Sequence, residues 1–372
     1  MGSHVMPHNK ALRVSLSFMT ALIGGFLFEW LQIPIPWLLG PMIAVLIGSQ
    51  IWKRSYEWPT PVRNAGMIIV GYTIGLSMTA AALREMSRQL PSMLLMTLLL
   101  LLLCVGIAFI VSKLTDTGFK TALLGSIPGG LTQVIALAEE TEGVHFTVVT
   151  VTQVIRLMMI VISVPLLIFS PVFGEAHGIV PDVIPQSDAI ADWSGLFPAI
   201  FIFALVSVGC AVAGNKIRFP TAFFLGPAIG TAVVQLVGLD GPALPPTLIN
   251  AAQLMIGTYV GLLLKPNLLT RKLRTISLAI GSGLLLILGA CGLSFVLTKL
   301  HPVTMSTGLL SLAPGGMDQM GIIAHEIHAD LSIVAGYQLF RTFFIFFAVP
   351  PLLRMVFQNG RRGRPASNKQ VD

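Results

Sequence analysis

The side chains able to do chemistry in this sequence are few, and they gather around two short motifs. Asp318 lies four residues after Pro314 inside an apolar run. A carboxylate in such a run is costly and usually functional, as a proton or cation site or a substrate contact. A compatible structural reading is that Asp318, near the start of a helix, caps free amides and complements the dipole. The corresponding position after the first motif is Thr132, which can cap but carries no charge. Gln133 and Gln319 follow, each with a donor and an acceptor. Arg156 and Arg341 lie deep in the next apolar runs, each three residues after a glutamine, Gln153 or Gln338. A guanidinium binds carboxylate or phosphate bidentately, so one reading is an anion clamp. The other is an ion pair with Glu139, Glu140 or Glu326, or snorkelling.

Other chemistries lack their patterns. In His325-Glu326-Ile327-His328 the histidines are three apart, whereas the zinc motif needs the second at position 329, which is alanine. The histidines His4, His8, His145, His177, His301, His325 and His328 form no copper constellation. Cys104, Cys210 and Cys291 fall singly in apolar runs and read as buried thiols. No catalytic residue, metal or cofactor is therefore expected, and the chain does not read as an enzyme.

The elements that position these residues are two helix breaks. Ser126-Ile127-Pro128-Gly129-Gly130-Leu131-Thr132-Gln133 recurs as Leu312-Ala313-Pro314-Gly315-Gly316-Met317-Asp318-Gln319. Proline removes a backbone donor and glycine is flexible, so a helix breaks at each. Lipid cannot satisfy a broken backbone, so each break lies within protein or lines a wet cavity. Paired breaks in matching halves point to a transporter binding site, though two plain kinks would look the same. Pro128, Gly129, Gly130, Pro314, Gly315 and Gly316 join the candidate site on this ground, with the tips expected to approach one another near the membrane midplane.

Composition sets the class. Of 372 residues 54% are hydrophobic and 10% charged, against roughly 25% charged in soluble proteins. The expected fold is an all-α polytopic membrane protein, with the lipid bilayer as its first partner. The net charge of +7 comes from basic residues in short loops, as topology determinants do, and implies no direct nucleic-acid partner. Residues 1–10 read as a tag or disordered start. Lys10 and Arg13 before an apolar run resemble a signal peptide, but no cleavage site follows. Residues 11–171 form a first membrane repeat with apolar runs at about 11–31, 34–52, 62–80, 91–113, 119–140 and 145–170. A polar linker, 172–194, separates it from a second repeat, 195–357. The runs there are about 195–214, 220–237, 247–264, 275–298, 303–326 and 330–357. The tail 358–372 reads as disordered and basic.

The two sets of runs are a duplication. Gly40-Pro41, Asn64, Gly71, Gly75 and Pro128-Gly129-Gly130 recur 186 positions on, and Gln153, Arg156 and Val164-Pro165 recur 185 on. Basic clusters in the second half are shifted by one crossing, so the halves are expected to be inverted. Arg84, Arg88 and Lys299 run against that pattern. Inversion needs an odd number of crossings, so each half is read as five transmembrane helices plus one re-entrant or broken Pro-Gly-Gly helix.

Together Leu39-Gly40-Pro41-Met42, Ser126 to Gly130, Pro314 to Asp318, Ala329-Asp330 and the Gln/Arg pairs resemble the Gram-negative AbrB membrane family, over about residues 11–357. That family is distinct from the small DNA-binding protein of the same name. Its members carry the labels ammonia monooxygenase or regulator of AidB expression. The layout also resembles inverted-repeat secondary carriers with paired hairpins, such as citrate–sodium symporters, at the level of fold alone. The function expected is an inner-membrane, multi-pass, ion-coupled secondary transporter of a small polar or anionic solute, with room for a homodimer. A membrane-embedded regulator of gene expression is the alternative, and an ammonia monooxygenase ranks last.

Overall fold

Apolar runs interrupted by proline, glycine and hydroxyl caps fold into helices, with no strand among the described residues. The computed structural model describes residues 10–52, 55–115, 117–128, 134, 138, 141, 143–170, 196–217, 219, 221–263 and 273–359. The first half contains α1 (Lys10–Trp30), α2 (Pro36–Ile51), α3 (Thr60–Ser77), α4 (Ala80–Leu114), α5 (Phe119–Ser126) and α6 (Phe146–Ile168). The second contains α7 (Ala199–Lys216), α8 (Ala222–Leu236), α9 (Pro246–Gly261), α10 (Leu273–Leu300), α11 (Met305–Leu312), α12 (Met317–Glu326) and α13 (Leu331–Asn359). Prolines open α2, α3 and α9, where a missing amide costs nothing. The hydroxyls of Thr79 and Thr304 cap α4 and α11 by accepting from Ala82 N and Thr307 N, both at 3.2 Å.

One run differs from the sequence reading and another agrees with it. The run at 91–113 begins eleven residues earlier, because Ala80 to Leu90 favours helix although its charges lower its hydropathy, and Pro91 is carried inside α4. The run at 303–326 is split into α11 and α12 at Ala313 to Gly316, where the sequence places its break. Among the described residues six helices, α1, α4, α6, α7, α10 and α13, are long and apolar enough to cross a bilayer, which marks a multi-pass membrane protein. The other expected crossings do not reach that standard. Among them α2 and α8 are apolar but span only 16 and 15 residues.

The duplication is visible in contacts. Gly40 presses its backbone on Gly24 where α1 crosses α2, and Gly226 presses on Cys210 where α7 crosses α8. Ile35 and Thr221, the residues before α2 and α8, both adopt the left-handed conformation, which is uncommon for branched side chains. Between the halves the contacts are reciprocal. Gly71 and Gly75 on α3 meet the carbonyls of Phe224 and Ala228 on α8, while Gly257 and Gly261 on α9 meet those of Leu38 and Met42 on α2. All four pairs obey one offset, as a two-fold relation requires. The equivalents Gly66 and Ala252 touch each other, and so do Leu103 and Gly289. Only positions on the two-fold axis can do so.

The helices sort into two groups. The first three of each half, α1–α3 and α7–α9, pack on one another. The remainder, α4–α6 and α10–α13, form the second group, tied by α10 on α6 and α13 on α4. Contacts between the groups run mainly through α12 and α13 against α3. The main core fills this junction, with Leu38, Met42, Ile74, Phe224 and Ile256 on one side and Ile160, Met320 and Ile323 on the other.

Candidate functional site

The last carbonyls of a helix lack intrahelical donors. In the second group the long helices α6 and α13 supply them. Gln153 Nε2 donates to the carbonyls of Leu124 and Ile127 at 2.7 and 3.1 Å. Arg156 Nη1 donates to those of Gly125, Ser126 and Ile127 at 3.3, 3.1 and 3.0 Å. Arg156 Nη2 donates to Gln153 Oε1 at 2.6 Å, locking the pair. The second half repeats this. Gln338 Nε2 donates to the carbonyls of Leu310 and Ala313 at 2.6 and 3.2 Å, Arg341 Nη1 to that of Leu312 at 3.1 Å, and Arg341 Nη2 to Gln338 Oε1. Each Gln/Arg pair thus closes the broken end of the short helix before it, α5 or α11. Both arginines are buried.

A second device fixes the other end of each break. Thr307, in the first turn of α11, accepts a hydrogen bond from Asp330 N at 3.3 Å, 23 residues on. Thr121, its equivalent on α5, accepts from His145 N at 3.1 Å, 24 residues on. In both halves the chain leaves a threonine, passes through Pro-Gly-Gly, and returns to the same threonine. Asp330 Oδ1 then accepts from Ile333 N at 3.0 Å and caps α13.

At the tip of the second segment Ala313 to Gly316 are non-helical and α12 starts at Met317. Asp318 and Gln319 lie in its first turn. The half-buried Asp318 carboxylate faces the amides of Asp318 and Gln319 and is reached by the field of Arg63. Asp318 Oδ2 accepts from Gln319 Nε2 at 2.9 Å. Gln319 is 3% exposed, and its Oε1 has no hydrogen-bond partner among the described residues. A Cβ on Gly316 would collide with that oxygen and lie 2.6 Å from Asp318 Oδ1. Gly315 rests on Ile160 of α6, which sets the tip between the halves.

The structure therefore brings Pro314, Gly315, Gly316, Asp318 and Gln319 together at one tip. It gathers Gln153 with Arg156 and Gln338 with Arg341 behind the two first arms. Gly129, Gly130, Thr132 and Gln133 lie outside the described residues, as do Glu139, Glu140, the linker 172–194 and residues 264–272. Pro128 is described and buried after α5. The ion pair considered for Arg341 is replaced: Glu326 instead accepts from Gln253 Nε2 at 2.5 Å, because α9 lies beside the end of α12. Three contributors escaped sequence reading. Arg63 lies in the first turn of α3, and its guanidinium stacks 4.6 Å from the Tyr259 ring within electrostatic reach of Asp318. Only the fold joins them. Thr121 and Thr307 could have been found, since they too stand 186 apart.

Comparison with known proteins gives concordant results. Residues 37–357 match the family profile described as AbrB, Transition state regulatory protein AbrB. The chain is 26% identical over 336 residues to "Putative regulator AbrB" of Escherichia coli (strain K12), covering 89% of this chain and 92% of that one. It is 23% identical over 349 residues to "Uncharacterized protein YhjN" of Bacillus subtilis (strain 168), covering 90% of each. The second relative takes the resemblance beyond Gram-negative bacteria.

Proposed function

The chain belongs to the AbrB family, and from that premise we propose that it is an ion-coupled secondary carrier of a small polar or anionic solute, built from inverted repeats with paired re-entrant hairpins. The observation that carries this reading is the duplicated out-and-back segment, tied at Thr121 and Thr307 and broken at Pro-Gly-Gly. Arms of 8 and 10 residues in the second segment are about 12 and 15 Å long at 1.5 Å per residue. Either reaches about half of a roughly 30 Å hydrocarbon core, so a hairpin of this size enters from one face and turns near the midplane. Unwound backbone at that depth is stable only inside protein or beside a wet cavity, which is where carriers hold their cargo. Asp318 supplies the ionisable group at the turn.

Purified protein in proteoliposomes tests the proposal. Imposed sodium or proton gradients should drive accumulation of small carboxylates or phosphates, and Asp318→Asn should abolish that coupling while the protein stays folded. Gradient-independent, non-saturable leakage of every solute from a folded preparation would sink the carrier reading. The name of the Escherichia coli relative favours a second reading, a membrane-embedded regulator acting through a partner. A carrier can also change gene expression by altering the level of its solute. The two separate on whether Asp318→Asn alters expression and uptake together or uptake alone.

A further inference from the structure

We propose that the tip of the second hairpin binds a single monovalent, sodium-sized cation, ligated by Asp318 Oδ1, Gln319 Oε1 and the free carbonyls of Pro314 and Gly315. The inference deepens the carrier reading by naming its coupling ion, and it rests on that reading for its role, although binding itself needs no transport.

The orientation of Gln319 is the starting point. Its amide nitrogen donates to Asp318 Oδ2 at 2.9 Å, so its oxygen must point the other way. That oxygen is buried, with no donor among the described residues. A buried acceptor without a donor is rare in native proteins and calls for an explanation. The second carboxylate oxygen of Asp318 points to the same place, since both atoms crowd the position of a Gly316 Cβ. Glycine at 316 lets both oxygens approach the backbone at this point, where any side chain would displace them. Among the described residues no donor reaches the carbonyls of Pro314 or Gly315, the unwound backbone beside this point. Hard oxygen donors that lack protons are cation ligands, and unwound carbonyls at a broken membrane helix are a recurrent source of them.

Charge fixes the valence. The start of α12 contributes about half a positive charge, and the Asp318 carboxylate outweighs it. The Arg63 field opposes a cation as well, but its guanidinium is held against Tyr259 and makes no ion pair with Asp318. One carboxylate set against these positive fields suits a single charge and leaves nothing to balance a divalent ion. The first half cannot make an equal site, because Thr132 replaces the carboxylate.

Melting of the purified, full-length protein in detergent tests this, with sodium chloride replaced stepwise by choline chloride at constant ionic strength and potassium chloride as the second probe. Sodium should raise the melting temperature saturably, and potassium should not. The sodium shift should vanish in Asp318→Asn and need at least tenfold more sodium in Gln319→Leu. In Lys113→Gln, far from the tip in sequence and exposed, it should persist. Each variant is compared with itself in choline, so lost stability is not mistaken for lost binding. No sodium-specific shift, or an equal shift in all variants, overturns the site. A protein that shifts with sodium but carries no solute keeps the site and loses the carrier. One that carries solute on a proton gradient without a sodium shift keeps the carrier and loses the site.

Discussion

Arg156 and Arg341 are held as helix caps, with two of the three guanidinium nitrogens committed to carbonyls and glutamine. Hydrogen bonds from a charged donor contribute about 1.5–3 kcal/mol each. Arg341→Lys should therefore lower stability by about 2 kcal/mol, read as a lower melting temperature, while leaving solute affinity near wild type. An affinity loss of tenfold or more at unchanged melting temperature would restore the anion-clamp reading. Gln338→Leu should cost a similar amount, because it removes two bonds to α11 and the lock on Arg341. The Gln/Arg pairs and the tips were legible from the repeat, and Asp318 from being a carboxylate inside an apolar run. Their partners were not. That a glutamine and an arginine three apart face a helix end some thirty residues back depends on how α5 docks on α6, and nothing in the local sequence encodes it.

At the scale of elements, glycines decide how closely helices approach. A Cβ at Gly71 or Gly257 would meet a backbone carbonyl of the facing helix, which cannot move aside as a side chain can. Gly71→Val and Gly257→Val should each destabilise the protein by about 1–3 kcal/mol through overpacking. Gly106→Val and Gly292→Val, equivalents with nothing within 4 Å, should be tolerated. Thermal melting of the four variants checks both pairs. Loss of the returning hydrogen bond in Thr307→Val should cost about 1 kcal/mol and expose the chain after Glu326 to faster proteolysis. The break in the second half was legible because proline and two glycines interrupt an apolar run. The start of α4 was not, because arginines and a glutamate hide a good helix from a hydropathy reading.

At the scale of the molecule, equivalent residues should face opposite sides of the membrane. Lys113 and Lys299 end α4 and α10, each over a phenylalanine ring four residues back, Phe109 or Phe295. In a cysteine-free background Lys113→Cys should react with an impermeant thiol reagent from the cytoplasmic side and Lys299→Cys from the other. Labelling of both from one side removes the inverted arrangement. The two helix groups meet where Ser332 Oγ donates to Ser77 O at 2.8 Å. A Ser77→Cys, Ser332→Cys pair, once oxidised, should stop uptake, and reduction should restore it. The reciprocal contacts at one offset also bear on energetics. In an inverted carrier the outward and inward states are, to a first approximation, one structure with its halves renamed. Interactions common to both halves then cancel from the free-energy gap between the states. The gap is left to positions where equivalents differ, such as Asp318 against Thr132 and Arg63 against Ile249. On the carrier proposal, the asymmetric residues set the resting ratio of the two states, and a ligand shifts it only by binding one better than the other. Arg63→Ile, which makes the halves more alike, should draw that ratio towards one.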